Sequence, residues 1–110
     1  MKKYIVVAYG GGETYMPKLF SDKNIAYSYY AKDVLDKLDE YVYISDDEYE
    51  HYSKAFEDKN AENIKEALAE LMEKYSERND VWKTPKGYTF GENDIKDYGT
   101  KIFEVNQYPM

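Results

Sequence analysis

The spacing of apolar residues along the chain changes several times, and each spacing predicts a different element. From Lys3 to Tyr9 the residues are β-branched and aromatic with hardly a polar interruption, which predicts a strand. Gly10-Gly11-Gly12 forces a turn, and Thr14 to Phe20 returns as a second strand, with Pro17 marking an edge or irregular position. Ser21 and Asp22 open a helix. Along it Tyr27, Ala31, Val34, Leu35 and Leu38 recur on one helical face, and Tyr29 falls on the far, exposed side.

Tyr41-Val42-Tyr43-Ile44 follows at once and predicts a short strand, Val42 and Ile44 on one face and Tyr41 and Tyr43 on the other. Ser45-Asp46-Asp47-Glu48 has the form of a capping box, Ser45 capping and Glu48 reaching back. The helix after it turns Tyr49, Tyr52 and Phe56 to one side. Asn60 caps a third helix from Ala61 to about Arg78, whose Ile64, Leu68, Leu71, Met72 and Tyr75 form the clearest apolar stripe in the chain. Asn79-Asp80 ends it. Thr84-Pro85-Lys86-Gly87 is a turn signal. Tyr88 to Phe90 and Thr100 to Val105 are expected strands, Phe103 and Val105 facing the core and Ile102 and Glu104 facing out. The order is ββα-β-αα-ββ. The expected fold is α+β: one domain over residues 1–110, with a small antiparallel or mixed sheet and about three helices on one face.

Composition supports a folded domain, since 43% of the 110 residues are hydrophobic and a chain of this size can bury a core of its own. Tyrosine is the outlier, with 14 copies. It combines a large apolar ring with a polar tip and is enriched at interfaces. Cysteine is absent, which excludes disulfides, thiolate catalysis and cysteine-ligated metals. No apolar run reaches 18 residues, so no membrane-spanning helix is expected. The start is too short in its apolar stretch for a signal sequence, and a cytoplasmic location is expected.

Charge divides the chain. Between Asp33 and Asp80 there are 16 acidic and 6 basic residues, a net −10, whereas the remainder carries +3 within the total of −7. On the third helix Glu66, Glu70, Glu73 and Glu77 form a ridge opposite the apolar stripe. Four helical residues rise about 6 Å, comparable with two phosphate steps along a DNA strand of about 3.4 Å each. A glutamate-rich outer face is also what an ordinary surface helix carries, and Glu70 with Lys74 or Glu50 with Lys54 fit simple i, i+4 pairs. Like charge at this density costs stability, and a basic partner would relieve it.

Motifs for catalysis are sparse. His51 is the single histidine; it is expected on the solvent side of the second helix, with Asp47 four residues before it. Ser45 is better used as a cap than as a nucleophile. The acids Asp46, Asp47 and Glu50 lack the spacing of a calcium loop. Tyr9-Gly10-Gly11-Gly12-Glu13 lacks the lysine of a phosphate-binding loop and reads as a hairpin turn. No catalytic residue, metal ligand or cofactor is expected, and the net charge opposes direct binding of nucleic acid.

In these features the chain resembles the small, acidic, tyrosine-rich, cysteine-poor proteins of phages and mobile elements that block host defence, of the anti-CRISPR and anti-restriction type. The resemblance is compositional and covers chiefly Asp33 to Asp80. It implies a non-enzymatic inhibitor or modulator of a basic protein, such as a nuclease or another nucleic-acid-binding protein, acting by partial mimicry of nucleic acid in a bacterial host. The expected contact residues are Asp46, Asp47, Glu50, Glu66, Glu70, Glu73 and Glu77, with Tyr29, Tyr41, Tyr43, Tyr49 and Tyr52 as exposed anchors. One alternative is a structural or regulatory interaction module, or a homodimer, using a tyrosine-rich sheet face. A second is a small carboxylate-based hydrolase.

Overall fold

The computed structural model describes residues 2–10, 13–14, 16–78, 80–91 and 96–106. It contains strands β1 (Lys2–Gly10), β2 (Glu13–Thr14) and β3 (Lys18–Phe20), helices α1 (Lys23–Val42), α2 (Asp46–Ala55) and α3 (Ala61–Glu73), and strands β4 (Val81–Thr84), β5 (Gly87–Phe90) and β6 (Tyr98–Asn106). The strands form one antiparallel sheet in which β1, β6, β5 and β4 are successive neighbours. β2 and β3 share the other side of β1, at its end and its middle respectively. The α+β class and the three helices are as expected. The strand expected over Thr14 to Phe20 is two short pieces, and Gly11 and Gly12 of the expected turn lie outside the described residues.

Two elements differ from expectation. Tyr41 and Val42 do not start a strand; they complete the last turn of α1 and pack against the core. Leu38 is fully buried, and Tyr41 and Val42 follow it at i+3 and i+4, so the helical stripe outweighs the strand preference of a four-residue run. The helix stops at Tyr43, which takes the left-handed conformation (φ 59°) while its N–H donates to the Asp39 carbonyl. The second difference is β4. Val81 to Thr84 pairs with β5 around the two-residue turn Pro85-Lys86, which Trp82 and Val81 alone did not announce.

The caps follow the sequence. Asp22 accepts from Asn24 N and Ile25 N, Ser45 from Glu48 N, and Asn60 from Glu62 N and Asn63 N. The second half of the expected capping box is corrected, because Glu48 turns towards α3 and binds Tyr75 and Lys74. α3 is also shorter than expected. Beyond Glu73 the chain tightens into i to i−3 bonds, Lys74 N to Leu71 O and Ser76 N to Glu73 O among them, so Glu77 sits on a turn.

α1 lies against β1, β6, β5 and β3, while α2 and α3 pack on α1 and on each other. The core between them holds Tyr4, Val6, Phe90 and Ile102 from the sheet and Tyr30, Val34, Leu35, Leu38, Phe56, Ile64 and Leu71 from the helical layer. The expected facing of the last strand is therefore reversed. Ile102 and Thr100 point inward, and Val105 is 40% exposed. Thr100 explains the parity. It is fully buried, and its hydroxyl donates to Asp33 while accepting from Lys37 at 2.9 Å. Lys37 also pairs with Asp33, so the three groups tie the middle of α1 to the first half of β6.

Thr100→Val keeps the shape and removes the hydroxyl. It is expected to cost about 1–2 kcal/mol, the usual penalty for stripping a partner from a buried polar group, read as a lower urea midpoint with unchanged slope.

Candidate functional site

Side-chain bonds fix the direction of the three helices. At their N-termini α1 and α3 lie together, Asn24 accepting from Ala61 N at 2.8 Å and Lys23 pairing with Glu62 at 3.1 Å. α2 runs the other way. Ser28 on α1 donates to the Phe56 carbonyl, Lys32 meets Glu57 at 3.3 Å, and Tyr49 donates to Asp36. Between α2 and α3, Tyr52 of α2 donates to Glu70 at 3.2 Å, and Lys74 at the end of α3 reaches Glu48 at 3.4 Å. The C-termini of α1 and α3 and the N-terminus of α2 therefore share one end of the helical layer.

That end is an acidic pole. It gathers Asp36, Asp39 and Glu40 from α1, Asp46 and Asp47 from α2, and Glu70, Glu73 and Glu77 from α3 and its turn. All but the half-buried Asp39 are exposed. Among the described residues Asp39, Glu40, Asp46, Asp47, Glu66, Glu73 and Glu77 take part in no ion pair. The helix dipole favours acids at an N-terminus and opposes them at a C-terminus, by about 0.3–1 kcal/mol each. α2 has the favourable order, with Asp46, Asp47 and Glu48 in its first turn. α1 and α3 have the unfavourable one, since neither has a base in its last turn. Tyr43 stands at the same pole and is 86% exposed.

The expected contact residues separate into groups. Asp46, Asp47, Glu70, Glu73, Glu77 and Tyr43 are brought together. Glu66 lies one turn back along α3. Glu50 is exposed but held by Lys54 at 3.0 Å, whereas the expected Glu70–Lys74 pair is replaced by Lys74–Glu48. Tyr29 is 40% exposed at the opposite end, against Phe20. Tyr49 is half-buried. Tyr41 turns inward between Phe90 and Tyr98, with ring centroids 6.2 and 5.4 Å away. Tyr52 is corrected outright: at 2% exposure it belongs to the core and is no exposed anchor. Sequence reasoning passed over Asp36, Asp39 and Glu40, which become legible once α1 runs to Val42, as acids at a helix end that lacks a base.

A second unusual surface is the uncovered face of the sheet. Alternation places Lys3, Ile5, Val7 and Tyr9 of β1, Lys101, Phe103 and Val105 of β6, Trp82 of β4 and Leu19 of β3 on the side away from the helices. None of these belongs to the core cluster. Lys101 Nζ stands 5.7 Å from the Tyr9 ring and Lys96 Nζ 5.5 Å from that of Trp82. A Cβ at Gly99 would lie 2.1 Å from the Tyr9 hydroxyl, so glycine lets the tyrosine lie flat across the neighbouring strand. This is not the tyrosine-rich sheet face expected from Tyr41 and Tyr43, which sit at the end of α1.

Carboxylates offer no paired site in the groove beside Tyr29. Asp22 and Asp58 accept backbone N–H bonds, and Glu57 is held by Lys32. His51 is exposed and packs edge-on against Tyr52. Among the described residues no group of three or more histidines and acids is placed to hold a metal, and no helix is long and apolar enough to cross a membrane. No protein-family model, no curated protein and no solved structure matches the chain.

Tyr49, Tyr75 and Tyr41 in the helical layer are poor acids. The hydroxyl of Tyr49 is pushed up to about 12, first by its bond to Asp36 and then by burial. That of Tyr75 is raised to about 12 by burial and then by Glu48, and that of Tyr41 to about 12 by burial and then by Tyr98. An unfolded tyrosine titrates near 10, so the folded chain holds these protons more tightly. The resulting stability is complete below pH 10 and is lost as pH rises towards 12. Urea melts are expected to show a midpoint falling through this window, and Tyr49→Phe should make the fall shallower.

Proposed function

We propose that the chain is a non-enzymatic binding protein that inhibits or modulates a nucleic-acid-binding protein, such as a nuclease, by presenting its acidic pole to a basic groove. The observation that carries this reading is the set of acids at the C-terminal ends of α1 and α3. These charges oppose the dipoles of the helices that bear them and repel one another, and Asp39, Glu40, Glu73 and Glu77 take part in no ion pair among the described residues, so they weaken the fold they belong to. A lysine- and arginine-rich surface would relieve both costs, with the charges steering encounter and setting selectivity. Tyr43 supplies an aromatic anchor beside them. It holds a strained backbone conformation where glycine would be easier, a type of strain that gathers at functional positions. A bacterial cytoplasm would be the setting.

The test is binding to a panel of DNA and RNA nucleases at two salt concentrations. Capture should weaken with salt and with competing nucleic acid, and Asp47→Lys or Glu73→Lys should each weaken it at least ~tenfold. Indifference to both salt and nucleic acid would remove groove competition. Tyr43→Gly separates fold from function: relief of the left-handed strain should raise stability by roughly 0.5–1 kcal/mol, while partner binding falls.

The uncovered sheet face favours a second reading, self-association. The face measures roughly 600 Å² from strand spacing and rise, below the ~800 Å² per partner of a standard interface. A symmetric contact would also set three lysines against three. Dimers formed this way should strengthen as salt rises and vanish in Phe103→Lys, the opposite salt response to that of the acidic pole. Light scattering across a salt series decides between the two.

A further inference from the structure

We propose that the chain carries a binding site for a phosphate ester attached to a planar ring, of mononucleotide size, in the cavity between α3 and the β4–β5 hairpin. α3 packs chiefly on α1 and α2. The wedge it leaves open is a cavity of about 320 Å³, at the lower end of the range typical of small-molecule sites. Its polar lining comes from Lys65 on α3, Lys83 and Lys86 on the hairpin, and Tyr27, Tyr30 and Tyr88. Leu68 and Ile102 supply apolar wall.

The charge of this lining is the reverse of that of the whole chain. Three lysines meet there in a protein of net −7. The one carboxylate among the lining residues, Glu104, is already held by Lys2 at 2.7 Å. Lys83 and Lys86 take part in no ion pair among the described residues. Lys65 Nζ is shared between Glu62, at 3.4 Å, and the face of the Tyr27 ring, at 4.5 Å. Register explains part of the convergence: Lys83 and Tyr88 are cross-strand partners, so both side chains leave the same face of the hairpin.

The chemistry then divides by group. The ammonium groups are point charges suited to a phosphate. Tyr30 and Tyr88 are raised in pKa by burial and stay protonated, so they can donate to an anion without adding charge. The tyrosine rings with Leu68 and Ile102 make an apolar slot for a flat group. Lone phosphate would leave that slot empty, and a neutral nucleoside would leave the lysines unanswered.

The experiment is a nuclear magnetic resonance and calorimetric titration of the full chain with AMP, ribose 5-phosphate, adenosine and inorganic phosphate in separate arms. AMP is expected to saturate, shifting amides from Lys83 to Tyr88 and around Tyr27. Adenosine and phosphate should each bind at least ~tenfold more weakly. Lys83 and Lys86 are exposed, so Lys83→Ala with Lys86→Ala should keep the fold, checked by circular dichroism, and weaken AMP at least ~tenfold. Lys18→Ala removes an exposed lysine on β3, at the other side of the sheet from the hairpin, and should leave AMP affinity within ~twofold. The proposal is overturned if AMP fails to saturate by millimolar concentrations or binds the lysine double variant equally well. Ribose 5-phosphate matching AMP would overturn the planar half of the assignment.

Discussion

Everything else in the structure is arranged around the contact of Asp33, Lys37 and Thr100. α1 is the helix that spans the sheet, and these three groups fix it over the first half of β6. A buried hydroxyl between a carboxylate and an ammonium is satisfied on both sides, so this polar contact can sit under a helix without the usual desolvation cost. It also decides the faces. Strand side chains alternate, so inward Thr100 forces Ile102 inward and Phe103 outward. The long pairing of β6 with β1 carries the same choice to Val6 and Val7. A shift of one residue would send Lys101 under α1.

With α1 fixed, the other helices have little freedom. Short connections at Tyr43–Ser45 and Phe56–Asn60 bring α2 back antiparallel and α3 forward again. Three helices in this order must place two C-termini and one N-terminus at the same end. A sequence avoiding strain would put lysines on the first two and acids on the third. This chain puts acids on all three. The stabilising part is real, since α2 gains from its first-turn acids and Glu48 is bonded by Tyr75 and Lys74. It does not extend to Asp39, Glu40 or Glu73, which sit at negative helix ends.

Much of this was legible in the residues. The stripes of α1 and α3, the caps Asp22, Ser45 and Asn60, and the acidic middle are local patterns, and local patterns survive folding when packing agrees with them. What was not legible was decided at a distance. Tyr41 and Val42 have strand character but follow a helix already held by Leu38. Phe103 and Val105 look like core residues, and their facing is set by Thr100, whose reason for burial lies 67 residues away on α1. Tyr52 read as an anchor because tyrosine has a polar tip. The fold buries the ring and gives the tip to Glu70. The acidic pole was half-visible because its acids were counted along the chain, while its geometry depends on where α1 ends.

The uncovered side of the sheet follows from the same constraint and has its own sequence signature. An antiparallel strand with one wet face should alternate apolar and polar residues. β1 does not: Ile5, Val6, Val7, Ala8 and Tyr9 are apolar in succession, a pattern suited to cover on both sides. Only one side receives helices. The other is left with aliphatic and aromatic groups, and its described charges are lysines, two of them resting on aromatic rings. Acid is in excess on the helical layer, with 16 acids to 6 bases from Asp33 to Asp80, while the uncovered sheet face and the hairpin are weighted towards lysine. The separation exceeds what solubility requires, because mixed charge on both layers would serve that end with less repulsion. Surfaces of opposite character on one small domain are useful for holding different kinds of ligand at once, and the cavity under the β4–β5 hairpin lies where the basic set turns inward.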